Sequence, residues 1–142
     1  MILWWLLLSG CATPERCPAG FASDAERSRR ILALIGHTES ASLCFGSATD
    51  SVVRADGLLM LDVRQQDPAL AARVAHLLDH LDKPAPGPGP DCVKQWMQIE
   101  ERGRKIEVEW TQRFGIEAPS QSSEDLRQAY SRRCEGRQLE SP

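Results

Sequence analysis

Apolar positions recur along this chain in distinct rhythms, and each rhythm predicts a different element. From Ser23 the rhythm is helical. Ser23-Asp24-Ala25-Glu26 has the arrangement of a capping box, Ile31, Leu32, Leu34 and Ile35 follow, and Gly36 supplies a stop. His37, just past that stop, is placed where an imidazolium would favour the helix dipole. Further on the apolar runs become short and contiguous. Ser51-Val52-Val53-Arg54 and Leu58-Leu59-Met60-Leu61 flank Ala55-Asp56-Gly57, and Asp-Gly between two such runs predicts a β-hairpin. Cys44-Phe45 is expected to form a preceding strand. Asp67-Pro68 then reads as the N-cap and first turn of a helix, because proline needs no amide partner there. At about 100° per residue, Leu70, Val74, Leu77, Leu78 and Leu81 share one apolar stripe of that helix. The stretch 83–90, with four prolines and two glycines, must break it and reads as a semi-rigid connector within one domain. Asp91 is expected to cap a long amphipathic helix carrying Cys92, Trp96, Ile99, Gly103, Ile106, Trp110 and Phe114 on one face and ending at Gly115. A final helix from about Ser123 to Glu135 places Leu126, Tyr130 and Cys134 on one side, with Gly136 as its stop. The expected fold is α+β: a mostly helical single domain with a small antiparallel hairpin or sheet and three to four helices.

The start of the chain follows another rule. Ile2 to Leu8 is an unbroken apolar run, far short of the roughly 20 residues that a spanning helix needs, and it reads as the hydrophobic part of a signal peptide. Leu8-Ser9-Gly10-Cys11 directly after it resembles the lipobox of bacterial lipoproteins. That resemblance implies a signal peptide over 1–10 and a lipid, palmitate among its acyl chains, carried by Cys11 as the new N-terminus. Membrane lipid is then the first partner of the chain. Ala12 follows the cysteine, which under the enterobacterial sorting rule implies an outer-membrane location facing the periplasm. Residues 11–22, with Pro14, Pro18 and Gly20, are expected to be a spacer, 23–136 the globular domain and 137–142 a tail.

Composition narrows the partners. Hydrophobic residues make up 42% and charged residues 26% of 142 residues, which suits one folded domain rather than a disordered chain. A net charge of -3 with mixed signs offers no basic field, so nucleic acid is excluded as an expected partner. With Cys11 assigned to lipid, Cys17, Cys44, Cys92 and Cys134 form an even set. An even set in an exported chain predicts two structural disulfides, with all three pairings open. Cys92 and Cys134 both fall on buried faces. If they bond, the linker 116–121 must run back along the long helix, because the last helix is much the shorter of the two.

One cluster has metal-ligand spacing. His76 and His80 stand at i and i+4 on one helical face, the separation at which two imidazoles can share a zinc ion. On the helical wheel they lie about 100° from the leucine stripe, beside Ala69 and Ala72, and so are expected to border the core. On the next helix Glu100 and Glu107 flank the buried stripe, whereas Glu101 and Glu109 point outward. Without a metal, Lys94 and Arg104 would be the expected salt-bridge partners of these glutamates.

The order of helix, hairpin, helix with paired histidines and helix with glutamates, over Ile31 to Phe114, resembles the zincin metallopeptidases, whose active-site helix carries H-E-x-x-H. The resemblance implies His76 and His80 as zinc ligands and Glu100 or Glu107 as the third. Leu77, however, stands where that family has its catalytic glutamate, and leucine has no atom that can take a proton from zinc-bound water. Asp79 is displaced about 100° around the helix from His80 and does not replace it. Two functions follow. The first is an envelope lipoprotein with a small, disulfide-bonded, non-catalytic binding or structural domain, zincin-like in layout, for which an envelope protein is the expected partner. The second is a zinc-dependent hydrolase using His76, His80 and a helix glutamate. Leu77 favours the first, and zinc is the one cofactor raised.

Overall fold

A computed structural model of the chain describes residues 17–48, 51–54 and 56–139, with side chains as far as 136. The leader, the lipobox and Cys11 lie outside the described residues. The elements, in order, are β1 (Phe21–Ser23), α1 (Ala25–Leu34), β2 (Leu43–Gly46), β3 (Val52–Val53), β4 (Leu59–Asp62), α2 (Asp67–Leu81), α3 (Cys92–Phe114) and α4 (Ser123–Leu139). The class is α+β, as the pattern predicts.

The expected hairpin pairs β3 with β4, Val52 opposite Met60 and Val53 opposite Leu59. Its turn closes where the Gly57 amide donates to the Arg54 carbonyl at 3.0 Å, with Gly57 at φ 85. The whole sheet is mixed rather than purely antiparallel. Its order is β1-β2-β4-β3, with β1 antiparallel to β2 and β2 parallel to β4. Alternation along the strands then sorts the side chains by face. Leu43, Phe45, Leu59 and Leu61 meet Ile31 and Leu32 of α1 and Leu70, Ala71, Val74 and Leu77 of α2 in the main core. Cys44, Leu58 and Met60 form a smaller cluster on the other face with Cys17 and Phe21. The Cys17–Cys44 disulfide fastens the approach to β1 onto β2. Order therefore begins before Ser23, inside the stretch that reads as a spacer, because a strand and a disulfide both need those residues.

Several expected boundaries move by a residue or more. The cap of α1 is Asp24, whose carboxylate accepts the Arg27 amide at 2.9 Å; Ser23 is instead the last residue of β1, opposite Cys44. The helix ends as expected, with Gly36 at φ 65 and the His37 amide bonded to the Leu32 carbonyl at 3.0 Å. In α2 the cap position falls on Gln66, and Asp67 begins the helix. Its carboxylate is drawn instead to α1, where Arg27 Nε donates at 2.8 Å and Arg30 Nε at 3.2 Å. Asp91 does occupy the cap position of α3, without a side-chain hydrogen bond. The last helix continues through Gly136 to Leu139, since that glycine keeps a helical backbone and an interior glycine costs a helix only about 1 kcal/mol.

The long helix α3 is joined to α4 by covalent chemistry and by register. Cys92 bonds Cys134, which resolves the open pairing. The linker does run back along α3: Arg104 Nη1 donates to the Gln121 carbonyl at 3.3 Å. From Arg104 to Cys92 is twelve residues, as is the span from Ser122 to Cys134. Both helices thus rise about 18 Å between those levels, at about 1.5 Å per residue, and the cysteines meet. Cys92, Trp96 and Cys134, with Val93, Ile99 and Tyr130, make a separate apolar cluster there. Two disulfides in a domain this size are the mark of an oxidising, exported environment. Among the described residues no helix is long and apolar enough to cross a membrane.

Burial opposes ionisation of Asp67, but the hydrogen bonds and charges of Arg27 and Arg30 prevail and hold its carboxyl below its usual range. Its stabilising contribution is therefore present above the unfolded pKa, near pH 4, and is lost as pH falls through the lower folded value. Asp67→Asn is expected to lower stability by about 1 kcal/mol at pH 7, as befits a partly exposed ion pair. In urea denaturation the gap between wild type and variant should close below about pH 4. A gap that stays constant down to pH 2 would contradict this account.

Candidate metal centre between two helices

Helix α2 is covered on two sides. Its leucine stripe faces the sheet, and another face meets α3, with which it packs more extensively than any other pair of elements. That second contact is polar. His76 is 1% exposed, and Glu100 and Glu107 are 5% and 4% exposed, values otherwise typical of the apolar core. His76 therefore lies inside the protein and not at its border as the wheel predicts. A wheel with one apolar stripe reveals one interface, and here the second interface is built of charge.

The buried face of α3 is correspondingly rotated from its apolar stripe. The buried residues are Cys92, Trp96, Glu100, Gly103, Glu107 and Thr111, whereas Ile99, Ile106, Trp110 and Phe114 are only half-buried. At about 100° per residue, the mean direction moves by roughly 45°. Glu100, Gly103 and Glu107 consequently point at α2. Gly103 makes the approach possible: a β-carbon there would enter the space of the His76 ring, at Cδ2 and Nε2. That glycine was read from sequence as one more position on an apolar stripe. Its signal is the pattern Glu-x-x-Gly-x-x-x-Glu, small between two acids on one face.

The His76 ring is held at both nitrogens. Nδ1 lies 2.7 Å from Glu107 Oε2, and because a carboxylate can only accept, Nδ1 carries the proton. Nε2 then faces His80 Nε2 at 3.0 Å and Glu100 Oε1 at 3.2 Å. His80 Nε2 lies 3.3 Å from Glu100 Oε2. His76, His80 and Glu100 thus bring three donor atoms into a triangle that could hold a metal ion. Zinc bonds of about 2.0–2.1 Å at tetrahedral angles set donors roughly 3.3 Å apart, and the three donor atoms here lie within 4.8 Å of one another.

Glu107 does not join the triangle. It stands on the far side of His76 and is gripped by Arg73, whose Nε lies 3.3 Å from Oε1. Of the two carboxylates expected as third ligand, the structure selects Glu100 by direction: only its oxygens reach the side of the ring where Nε2 points. Nor do Lys94 and Arg104 serve as the ion-pair partners, since Arg73 and the histidines take that role and Arg104 bonds the linker. Asp79 faces outward to Arg102 Nε at 3.0 Å. Tyr130 of α4, also unforeseen at this site, donates its hydroxyl to Glu100 Oε2 at 2.8 Å.

Electrostatics follow from burial and pairing. Burial alone would push the His76 pKa down, but hydrogen bonds and charge from Glu100 and Glu107 more than offset it and raise it above the ordinary value. For Glu100 burial pulls upward, yet the hydrogen bonds of His76 and His80, the His76 charge and the Tyr130 hydroxyl hold it well below the usual carboxylate range. Beside the donors lies a cavity of about 110 Å³, bordered by Ser51, Val52, Val53, Gln121, Leu126 and Tyr130.

No family model, curated protein or solved structure matches this chain.

Gly103→Ala is expected to destabilise the protein by about 1–3 kcal/mol through overpacking against His76, even though alanine is the better helix former. Gly136→Ala, with open space around the new methyl, is the control and should gain up to about 1 kcal/mol. Equal effects in thermal denaturation would show that the close approach at Gly103 is not a constraint.

Proposed function

We propose that this protein is an exported lipoprotein whose domain binds one divalent transition metal ion, zinc by preference, through His76, His80 and Glu100. The observation that carries the reading is the convergence of one donor atom each from His76, His80 and Glu100, all within 4.8 Å of one another and enclosed between two helices. Two imidazoles and a carboxylate are a donor set that suits zinc. The outer contacts point the same way. A histidine that presents one nitrogen to a metal usually donates its other N–H to a carboxylate, and Glu107 takes that part for His76. Burying two carboxylates and two imidazoles costs several kcal/mol per ion when charged, so a seam that merely joined helices would be better served by apolar residues. A divalent cation would take the place of imidazole protons as the positive charge facing Glu100.

The ion acts as a binding and clamping centre, not a hydrolytic one. The cavity gives a bound metal an open fourth position, which is the feature that favours the hydrolase reading. Among the described residues no free base stands at that position: Leu77 stands where the zincins have their glutamate, Glu107 is committed to His76 and Arg73, and Asp79 to Arg102. The lipid reading rests on Leu8-Ser9-Gly10-Cys11 after an apolar run, and the disulfides agree with export. The outer membrane, facing the periplasm, is the proposed location, with an envelope protein as the partner of the domain.

The full chain carrying Cys11→Ser should purify with about one equivalent of zinc by elemental analysis. His76→Ala should abolish that binding, and Glu107→Gln should weaken it about 10- to 100-fold while leaving the stoichiometry intact. Absence of bound zinc at neutral pH in the presence of excess metal would overturn the metal reading. In bacterial cells, Cys11→Ser should release the protein from the membrane fraction; continued membrane retention would remove the lipid anchor from the proposal.

A further inference from the structure

The metal site is built by α2 and α3, yet one of its contacts comes from α4. Cys92, Trp96 and Glu100 stand at i, i+4 and i+8 on α3, and Leu126, Tyr130 and Cys134 have the same spacing on α4. The helices run in opposite senses, and three successive rungs connect these rows. The first is the Cys92–Cys134 disulfide. The second is the stack of Tyr130 on Trp96, with ring centroids 5.1 Å apart and planes 6° from parallel. The third is the Tyr130 hydroxyl donating to Glu100 Oε2 at 2.8 Å. Each rung fixes the next. The disulfide sets the level of α4, the indole sets the plane of the phenol, and the phenol sets the carboxylate.

We propose that Tyr130 is the positioning residue that orients Glu100 as a metal ligand, and that the Cys92–Cys134 disulfide and Trp96 hold Tyr130 in place for that task. The proposal rests on the metal reading above. Glu100 Oε1 is turned to His76 Nε2, while Oε2 lies 3.3 Å from His80 Nε2 and is also hydrogen-bonded to the phenol. A buried carboxylate with one oxygen so anchored cannot swing about its terminal torsion, so its other oxygen stays directed at the donor triangle. Hydrogen bonds to a ligating carboxylate act in this way generally, and their loss weakens metal affinity about 10- to 100-fold. Trp96 and the disulfide touch no donor atom and act only through the tyrosine.

The test uses the full chain with Cys11→Ser and zinc as probe, with affinity read by competition against a chromogenic chelator. Tyr130→Phe keeps the stack on Trp96 and removes only the hydroxyl. It should weaken zinc about 10-fold or more, keep one ion per chain, and alter the visible spectrum of the cobalt-substituted protein. Far-UV circular dichroism and the urea midpoint of the metal-free protein should stay near those of the parent, which separates loss of positioning from loss of structure. Cys92→Ser with Cys134→Ser leaves the hydroxyl present but loosens its support, and it too should weaken zinc. In that background Tyr130→Phe should cost less than in the parent, because coupled residues are not additive. If the parent binds zinc and both Tyr130→Phe and the double serine variant bind it within twofold of the parent, the positioning role is overturned while the metal site stands. If the parent binds no zinc, the metal reading itself fails. If Tyr130→Phe does not fold, an unchanged affinity in the double serine variant overturns the proposal by itself.

Discussion

The structure depends on a helix-to-helix seam made of buried charge. α2 and α3 meet chiefly through His76, His80, Glu100, Glu107 and Arg73, with Phe114 reaching the apolar core at one end, and the backbones come close enough for this only because Gly103 offers no side chain. Pairing in such a place is obligatory. Each ion withdrawn from water loses several kcal/mol of solvation, and removal of one partner leaves the other exposed to that loss without compensation. The arrangement is also directional, since hydrogen bonds specify which atom faces which. Apolar packing would hold the helices together but would tolerate rotation; the seam does not.

The rest of the architecture is arranged around that demand. The main apolar core lies between the sheet, α1 and the opposite side of α2, and Phe114 at the end of α3 packs against it. A second, smaller apolar cluster lies between α3 and α4 and is tied by Cys92–Cys134. The seam therefore sits between these two apolar bodies, neither of which alone contains a complete donor set, while the Cys17–Cys44 disulfide lies on the far face of the sheet. Small cores in a chain of this length supply limited stability, which gives the covalent ties more weight than they would have in a larger domain.

Much of the fold was legible because local chemistry decides it. Asp56-Gly57 marks the hairpin turn, the proline run after Leu81 ends α2, and Gly36 and Gly115 adopt the left-handed conformation that closes α1 and α3. The errors share a cause. Ser23 and Asp24 are both good caps, and only the pairing of Ser23 with Cys44 assigns the cap to Asp24. Asp67 looks like a cap until Arg27 and Arg30 are brought beside it. The histidine pair was visible from its spacing, but its burial was not, because amphipathicity counts apolar residues and the face in question has few. Choosing between Glu100 and Glu107 required knowing which ring nitrogen each one meets. Tyr130 could not be reached without the disulfide that places α4 beside α3.

The proline-rich stretch 83–90 has a consequence for the seam. It joins the helix that carries both histidines to the helix that carries Glu100, so every donor pair across the seam is closed through this one short loop. Four prolines with fixed φ remove much of the freedom that an unfolded loop would have to surrender. The tether keeps the local concentration of the second helix high around the first, much as a short stiff linker does between two binding modules. A spacing that looks in sequence like an interruption between two helices thus keeps His76, His80 and Glu100 together as one group that could hold a metal ion.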